Sequence, residues 1–515
     1  MRKSIGIVGV CFFVFGWGPA HAESRAFGIE LCSAIFVFQG EVYFCGKHRR
    51  LGRELFRSNG TKAGTTVVAD IDPGPGSSDP INFFRLKEHL YFFAENSGTG
   101  REIWRTDGTK GGTKRISEAI PGPNGFPAKV TVFSDASIAY IRDDSIQDGG
   151  LVLWRTDGTS DGTERILSSG PDDLTLLGFY KQKFYLGSRS FTNEGISLSL
   201  ERISSTGSEP EVVKVLGEGC ESNQRPNPYF DIRLSNDLER LFVATNCKEE
   251  SAVFVSDGTE LGTKLLLEGQ HSFIGQLNSF LYYYNRDQNN IHYTDGESTD
   301  TLGFCGVSVF CLDGRIAMNG QVNGRFLFSL LASTSEEAAH SDAVYATDGT
   351  AQGTAKLTDG FINGFARTNG SRALFDISRF GRRNLWTTDG TVNGTKTLQF
   401  ADAGFASNGQ IFSTGQQFMF FEKRTYESTS NLWRSDGLDS ERIVRFSRDF
   451  DQVRAASSEG NRLYFDLADI LWHTDGTEEG TYQLTYLDDV PVVPRSDFDG
   501  SQIIPSIELL LDEEN

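Results

Sequence analysis

Apolar and polar positions alternate along this chain in short bursts. Ile81 to Leu86 is apolar and aromatic, and Lys87-Glu88-His89 interrupts it. Leu90 to Ala94 is a second run, and Asn96 to Gly100 breaks it. Glu102 to Thr106 is a third, Asp107 to Gly112 a turn, and Thr113 to Ile116 a fourth. Aromatic and β-branched runs of about five residues, bounded by Gly, Asn and Asp, predict strands. The second run recurs at Val42-Tyr43-Phe44, Phe184-Tyr185-Leu186, Leu241-Phe242-Val243, Leu281-Tyr282-Tyr283, Phe326-Leu327-Phe328, Leu374-Phe375, Phe418-Met419-Phe420 and Leu463-Tyr464-Phe465. No amphipathic helical pattern stands out beyond residue 22. The expected class is all-β. The 40 Phe and 15 Tyr suit sheet-on-sheet packing, in which aromatic rings supply large buried area.

Between the third and fourth runs a phrase returns: an aromatic residue, Ser/Thr-Asp-Gly-Thr, then Gly-Thr. It reads Trp104-Arg105-Thr106-Asp107-Gly108-Thr109 and Trp154-Arg155-Thr156-Asp157-Gly158-Thr159. It is repeated around Asp257-Gly258, Asp348-Gly349, Asp389-Gly390 and Asp475-Gly476. With Asn59-Gly60 and the three degenerate copies at Gly207, Gly296 and Gly437, the glycine anchors ten units, spaced 38 to 53 residues apart. Ser or Thr stands two before each glycine, and a bulky residue stands four before it. Five of the six tryptophans share that position. The copies at Gly207, Gly296 and Gly437 lack the second Gly-Thr. Four short strands per unit of this length predict a β-propeller blade, each blade burying its apolar faces against its neighbours. Ten units allow one large ring or two smaller propellers. In the phrase, Asp accepts a hydrogen bond from the backbone two residues on, Gly takes positive φ, and Thr resumes the extended chain. Asp107, Asp157, Asp257, Asp348, Asp389 and Asp475 are therefore read as turn residues, and the aromatic three before each as packing between blades.

The phrase resembles that of the ELWxxDGT repeat proteins, exported bacterial proteins named for it. Arg53-Glu54-Leu55-Phe56-Arg57-Ser58-Asn59-Gly60-Thr61 and Arg101-Glu102-Ile103-Trp104-Arg105-Thr106-Asp107-Gly108-Thr109 match it closely. So does the connector from Asp70 to Pro80. The resemblance covers nearly the whole chain after residue 22. It implies a propeller-like fold and brings no catalytic residues to carry over. The turn is also similar to the Asp-box of sialidase propellers, at a different spacing.

Residues 1–22 read as a secretory leader: Arg2 and Lys3, the apolar run Ile5 to Phe15, and Ala20-His21-Ala22 as a small-x-small cleavage site. Residues 23–489 are assigned to the propeller and 490–515 to a tail, where Ile503 to Leu511 could add a strand. The expected location is secreted or periplasmic, with no transmembrane segment after leader removal. Six cysteines then remain, an even count that suits disulfides in an exported chain. Local pairing would join Cys32 to Cys45, Cys220 to Cys247 and Cys305 to Cys311. Without the leader there are 47 Lys and Arg against 69 Asp and Glu, a net charge of −22. That balance disfavours nucleic acid and anionic membranes, whose partners carry basic patches.

An antiparallel blade fixes two faces. The phrase turns share one. The second–third loops and the connectors share the other, at Arg142 to Gly150, Ser188 to Gly195, Cys247 to Ser251, Ala332 to Asp342 and Glu422 to Ser430. Variable loops on a rigid scaffold are where ligands bind. This face carries Asp143, Asp144, Asp148, Glu249, Glu250, Glu336 and Glu337, and also Asp70 and Asp72, where calcium is conceivable because carboxylates ligate it. No Gly-x-Ser-x-Gly elbow, His-Glu-x-x-His or phosphate-cradling loop is present. Two functions remain: a non-catalytic scaffold binding a protein or glycan through the loop face, or a polysaccharide hydrolase or lyase using carboxylates near the central channel.

Overall fold

A computed structural model describes residues 24–489 apart from internal segments, the longer of which are 117–124, 144–151, 169–172, 205–209, 221–228, 303–314, 332–341, 399–410 and 447–455. Every regular element among the described residues is a strand. The strands form ten blades: 36–69, 81–115, 130–168, 173–220, 229–268, 271–302, 315–359, 361–397, 411–446 and 456–483. Each blade is antiparallel and contiguous in sequence. Blade 2 pairs Gly100–Thr106 with His89–Asn96 and His89–Asn96 with Ile81–Leu86, where runs of alternating pattern predict them.

The blades close into one ring. Ten apolar cores each join one blade to the next. Leu55 of blade 1 packs with Leu90 and Phe92 of blade 2. The last core returns to the start: Leu463 and Phe465 of blade 10 face blade 9, and Tyr464 and Leu471 face Val42, Phe44 and Phe56 of blade 1. Alternation along one strand thus serves two neighbours, because successive side chains point to opposite faces. First strands of neighbouring blades touch, as Ile81–Leu86 does Val130–Ser134, and Phe36–Phe38 touches Ala456–Glu459 across the seam. First strands therefore line the axis. Within several blades a ring on the second strand stacks on one from the third: Phe44 on Phe56, Phe420 on Trp433 and Phe465 on Trp472.

Two strands outside the repeats seal the seam. The segment Ser24–Gly28 pairs antiparallel with Thr485–Asp489. Tyr486 in turn bridges Thr65 on the outer strand of blade 1. Ile503 to Leu511, expected as a possible added strand, and the leader lie outside the described residues.

Three expectations are corrected. Ser188 to Gly195 is not a loop: Lys183–Thr192 and Gly195–Ser204 pair down to Thr192 opposite Gly195, because the apolar alternation continues to Ile196. Glu422 to Ser430 is also mostly ladder, with Arg424 opposite Thr429. In blade 4 the repeat runs two residues out of step. Arg202 lies opposite Tyr185, as Arg57 lies opposite Tyr43. Glu201, not Ile203, thus holds the aromatic position, and the third strand extends further before its turn.

Candidate functional site

The repeat phrase folds as one closed hydrogen-bond circuit. In blade 2, Gly108 N donates to Thr106 Oγ1 at 2.9 Å. Thr109 N and Oγ1 both donate to Asp107 Oδ1, at 2.9 and 2.7 Å. Gly112 N donates to Thr109 Oγ1, and Thr113 Oγ1 to the Thr109 carbonyl. The same set recurs at Asp157, Asp257, Asp348, Asp389 and Asp475. The Thr hydroxyl bond holds the carboxyls of Asp107, Asp157, Asp257 and Asp348 below the usual range. In blade 1 the amide oxygen of Asn59 accepts the same two bonds, from Thr61 N and Oγ1, so a charge is not required for them. The second glycine has its own reason: a β-carbon at Gly112 would stand 1.9 Å from Asp107 Oδ1.

The first glycine is where neighbouring blades meet. Its φ is near +90° at Gly108, Gly158, Gly258, Gly349, Gly390 and Gly476. A β-carbon at Gly108, Gly158, Gly258 or Gly349 would stand 2.5, 2.2, 1.9 or 2.1 Å from the hydroxyl of Tyr43, Tyr91, Tyr185 or Tyr282, each on the preceding blade. At the seam Tyr464 of blade 10 reaches Gly60 in the same way, at 2.6 Å. A donor from the preceding blade also takes the turn carbonyl in several copies. Arg202 reaches Gly258 O at 2.8 Å, Arg240 reaches Gly296 O at 3.0 Å, and Arg434 reaches Gly476 O at 3.0 Å. The aromatic before each Asp packs toward the same preceding blade, as Trp433 and Trp472 show. The phrase is thus both a turn and a socket.

On the opposite face, Glu54 is fully buried between the third strand and the connector. It accepts from Ile71 N at 2.9 Å, Ser78 N at 3.2 Å and Ser78 Oγ at 2.6 Å. Burial pushes its carboxyl up to about 7. Glu102 is the buried counterpart in blade 2. In blade 9 the buried carboxylate sits across the ladder instead, as Glu422, accepting from Asn431 Nδ2 and Trp433 Nε1. The sequence marked the first two only as part of a repeat, and gave no sign that they were sealed.

Asp70 and Asp72 hold backbone. Gly74 N donates to Asp70 Oδ2 at 3.3 Å, and Ser97 N to Asp72 Oδ1 at 3.0 Å. Among the described residues the close group of His, Cys, Asp and Glu ligand atoms is Cys32, Cys45 and Asp79, and the two sulfurs are bonded to each other. The disulfides Cys32–Cys45 and Cys220–Cys247 are both present. Cys305 and Cys311 lie outside the described residues, as do Asp144, Asp148, Glu249, Glu250, Glu336 and Glu337.

Among the described residues of the connector face, the blade 4 hairpin stands out. It rises as a ladder to its tip, and Phe191 there is 72% exposed. Its base is fixed: Ile196 pairs with Cys220, and Ile196, Leu198, Cys220 and Cys247 form a small buried cluster around the disulfide. Along the axis, the first strands of blades 1, 2, 3, 8 and 9 carry no Asp or Glu. No helix of the described residues is long and apolar enough to cross a membrane.

No protein-family model and no curated protein matches the chain. Solved structures do resemble it. One is from a study of two prolyl endopeptidases, 13% identical over 67% of this chain and 54% of that one, with a TM-score of 0.37. Another is the computationally designed Ika8 protein, 13% identical over 81% of this chain and 98% of that one, with a TM-score of 0.33. A third is the β-propeller domain of the Trilobed protease from Pyrococcus furiosus, 12% identical over 60% and 96%, with a TM-score of 0.28. The match spans about half the length of the prolyl endopeptidase chain. No activity is carried over from these neighbours, and what stands is the architecture itself, a ten-bladed β-propeller.

Proposed function

We propose that this chain is an exported, non-catalytic binding scaffold of the ELWxxDGT repeat type, and that its ligand, a protein or a glycan, sits on the connector face around Phe191. The observation that carries this reading is the disulfide-based hairpin that presents an exposed phenylalanine. A large apolar ring held out on a rigid base is the kind of anchor on which binding surfaces concentrate their energy. The opposite face supports the same assignment, because the Asp, Gly and Thr of the phrase are already taken up by the turn and by the preceding blade. Two disulfides fit a location outside the cytoplasm.

The alternative, a polysaccharide hydrolase or lyase, would need two carboxylates about 5–10 Å apart and open to substrate. Glu54 has the raised pKa that such chemistry uses, yet it is sealed and holds backbone. A glycan and protein array, with product analysis of every hit, tests the proposal. Binding that is lost in Phe191→Ser, with the melting temperature unchanged, supports it. Turnover of any polysaccharide overturns it.

A further inference from the structure

Nine blade interfaces are spanned by a continuous chain, and the tenth is a seam. The segment 24–32 lies across that seam and is bound on both sides. On the blade 10 side, Leu471 N donates to Ile29 O at 3.0 Å, and Glu30 pairs with Ile470. On the blade 1 side, Glu30 pairs with Lys47 and Leu31 with Gly46, and the Cys32–Cys45 disulfide fixes the end covalently. Ile29 is fully buried in the seam core with Phe56 and Leu471. Beyond it, Ser24–Gly28 covers Thr485–Asp489, the strand by which the far end of the chain returns to blade 1. Tyr486 anchors that strand: its hydroxyl accepts from Arg49 N at 3.1 Å, and its ring meets His48 and Phe27.

We propose that residues 24–32 are a redox-gated strap, and that the Cys32–Cys45 bond decides whether the ring is latched at its seam. The bond ties the end of the strap to blade 1, so the gap holding Thr485–Asp489 is kept two-sided. Opening it needs an external dithiol. A thiolate of that dithiol attacks Sγ of Cys32, the more exposed sulfur, and Cys45 leaves as thiolate. The second thiol then displaces Cys32, so the reductant becomes a disulfide and two protein thiols form, with two electrons and two protons transferred. The freed strap no longer clamps Thr485–Asp489, and this strand keeps a partner on one side only. The seam is then the first interface to open, while the nine continuous interfaces remain closed.

Hydrogen exchange on the full chain tests this, oxidised against dithiol-reduced. Reduction is expected to speed exchange on the order of tenfold or more at 24–31 and 485–489, and to leave Arg382–Thr388 in blade 8, away from both disulfides, unchanged. Cys32→Ser/Cys45→Ser should reproduce this without reductant, and Cys220→Ser/Cys247→Ser should not. If the first variant does not fold, reduction of the native protein decides. Equal exchange at 485–489 in the two redox states would overturn the proposal. So would uniform acceleration across all blades.

Discussion

The phenol oxygen of Tyr43 stands 2.5 Å from where a β-carbon on Gly108 would lie, and the two residues belong to different blades. The next atom of the ring is 3.7 Å away, in ordinary contact. Gly108→Ala should therefore lose about 1–2 kcal/mol to its positive φ and a further ~1–3 kcal/mol to the clash. Tyr43→Phe removes the clashing oxygen alone. The double variant should recover about 1 kcal/mol or more relative to the sum of the singles. Urea unfolding of all four proteins measures this, and strict additivity would rule out the socket.

The turn needs an acceptor, not a charge. Asp107→Ala leaves Thr109 N and its hydroxyl without their acceptor and should cost about 1 kcal/mol. Asp107→Asn and Asn59→Asp should each stay within about 0.5 kcal/mol of the parent. A loss on Asp107→Asn as large as on Asp107→Ala would show that the carboxylate has another task.

Glu54 sets a pH dependence of unusual sign. Its folded-state pKa of about 7 lies above the ordinary 4.5, so the folded state binds the proton more tightly than the unfolded chain. Its contribution is fully present below about pH 4.5 and is lost as pH rises to about 7, with an upper size of about 3 kcal/mol. The turn aspartates act in a separate window. Their lowered pKa values give stability that is present above the ordinary 3.8 and lost as pH falls through the depressed values. Denaturant midpoints at pH 5 and pH 8 should differ in the parent, and the difference should shrink in Glu54→Gln.

Breaking Cys220–Cys247 should cost about 3–4 kcal/mol, given the 27-residue separation it closes. It should also loosen the hairpin that presents Phe191, so ligand affinity should fall even at temperatures where the ring stays folded. Calorimetry and a binding titration on Cys220→Ser/Cys247→Ser separate the two effects.

Chelation should change little. With one oxygen each of Asp70 and Asp72 engaged by Gly74 N and Ser97 N, the melting temperature should agree with and without EDTA to about 1 °C. A larger drop would place a cation in the connector.

Much of the fold was legible because its signals are local. Strand alternation gave Ile81–Leu86 at the observed bounds, and Asp107-Gly108 announced its hairpin by turn chemistry alone. Three features were not legible. Tyr43 meets Gly108 across blades, and no pattern within one unit encodes that. The pairing of Ser24–Gly28 with Thr485–Asp489 joins the two ends of the described chain, a separation that periodicity cannot see. In blade 4 the Asp of the turn is missing, so Gly207 was a false anchor and the register slipped by two residues. The connector-face loops were overestimated for a related reason. Polar residues such as Ser188 and Ser190 sit in a ladder opposite Ser199 and Ser197, interleaved with the pairs Arg189–Leu198 and Phe191–Ile196.

The Tyr-to-Gly contact runs in one direction at the five described interfaces that carry it, the tyrosine of one blade filling the turn of the blade that follows. An array joined in that way has unlike ends, an empty socket on one side and a spare hydroxyl on the other. Linear repeat proteins answer this with specialised terminal units. Here Tyr464 fills the turn at Gly60, and each end becomes the other's cap.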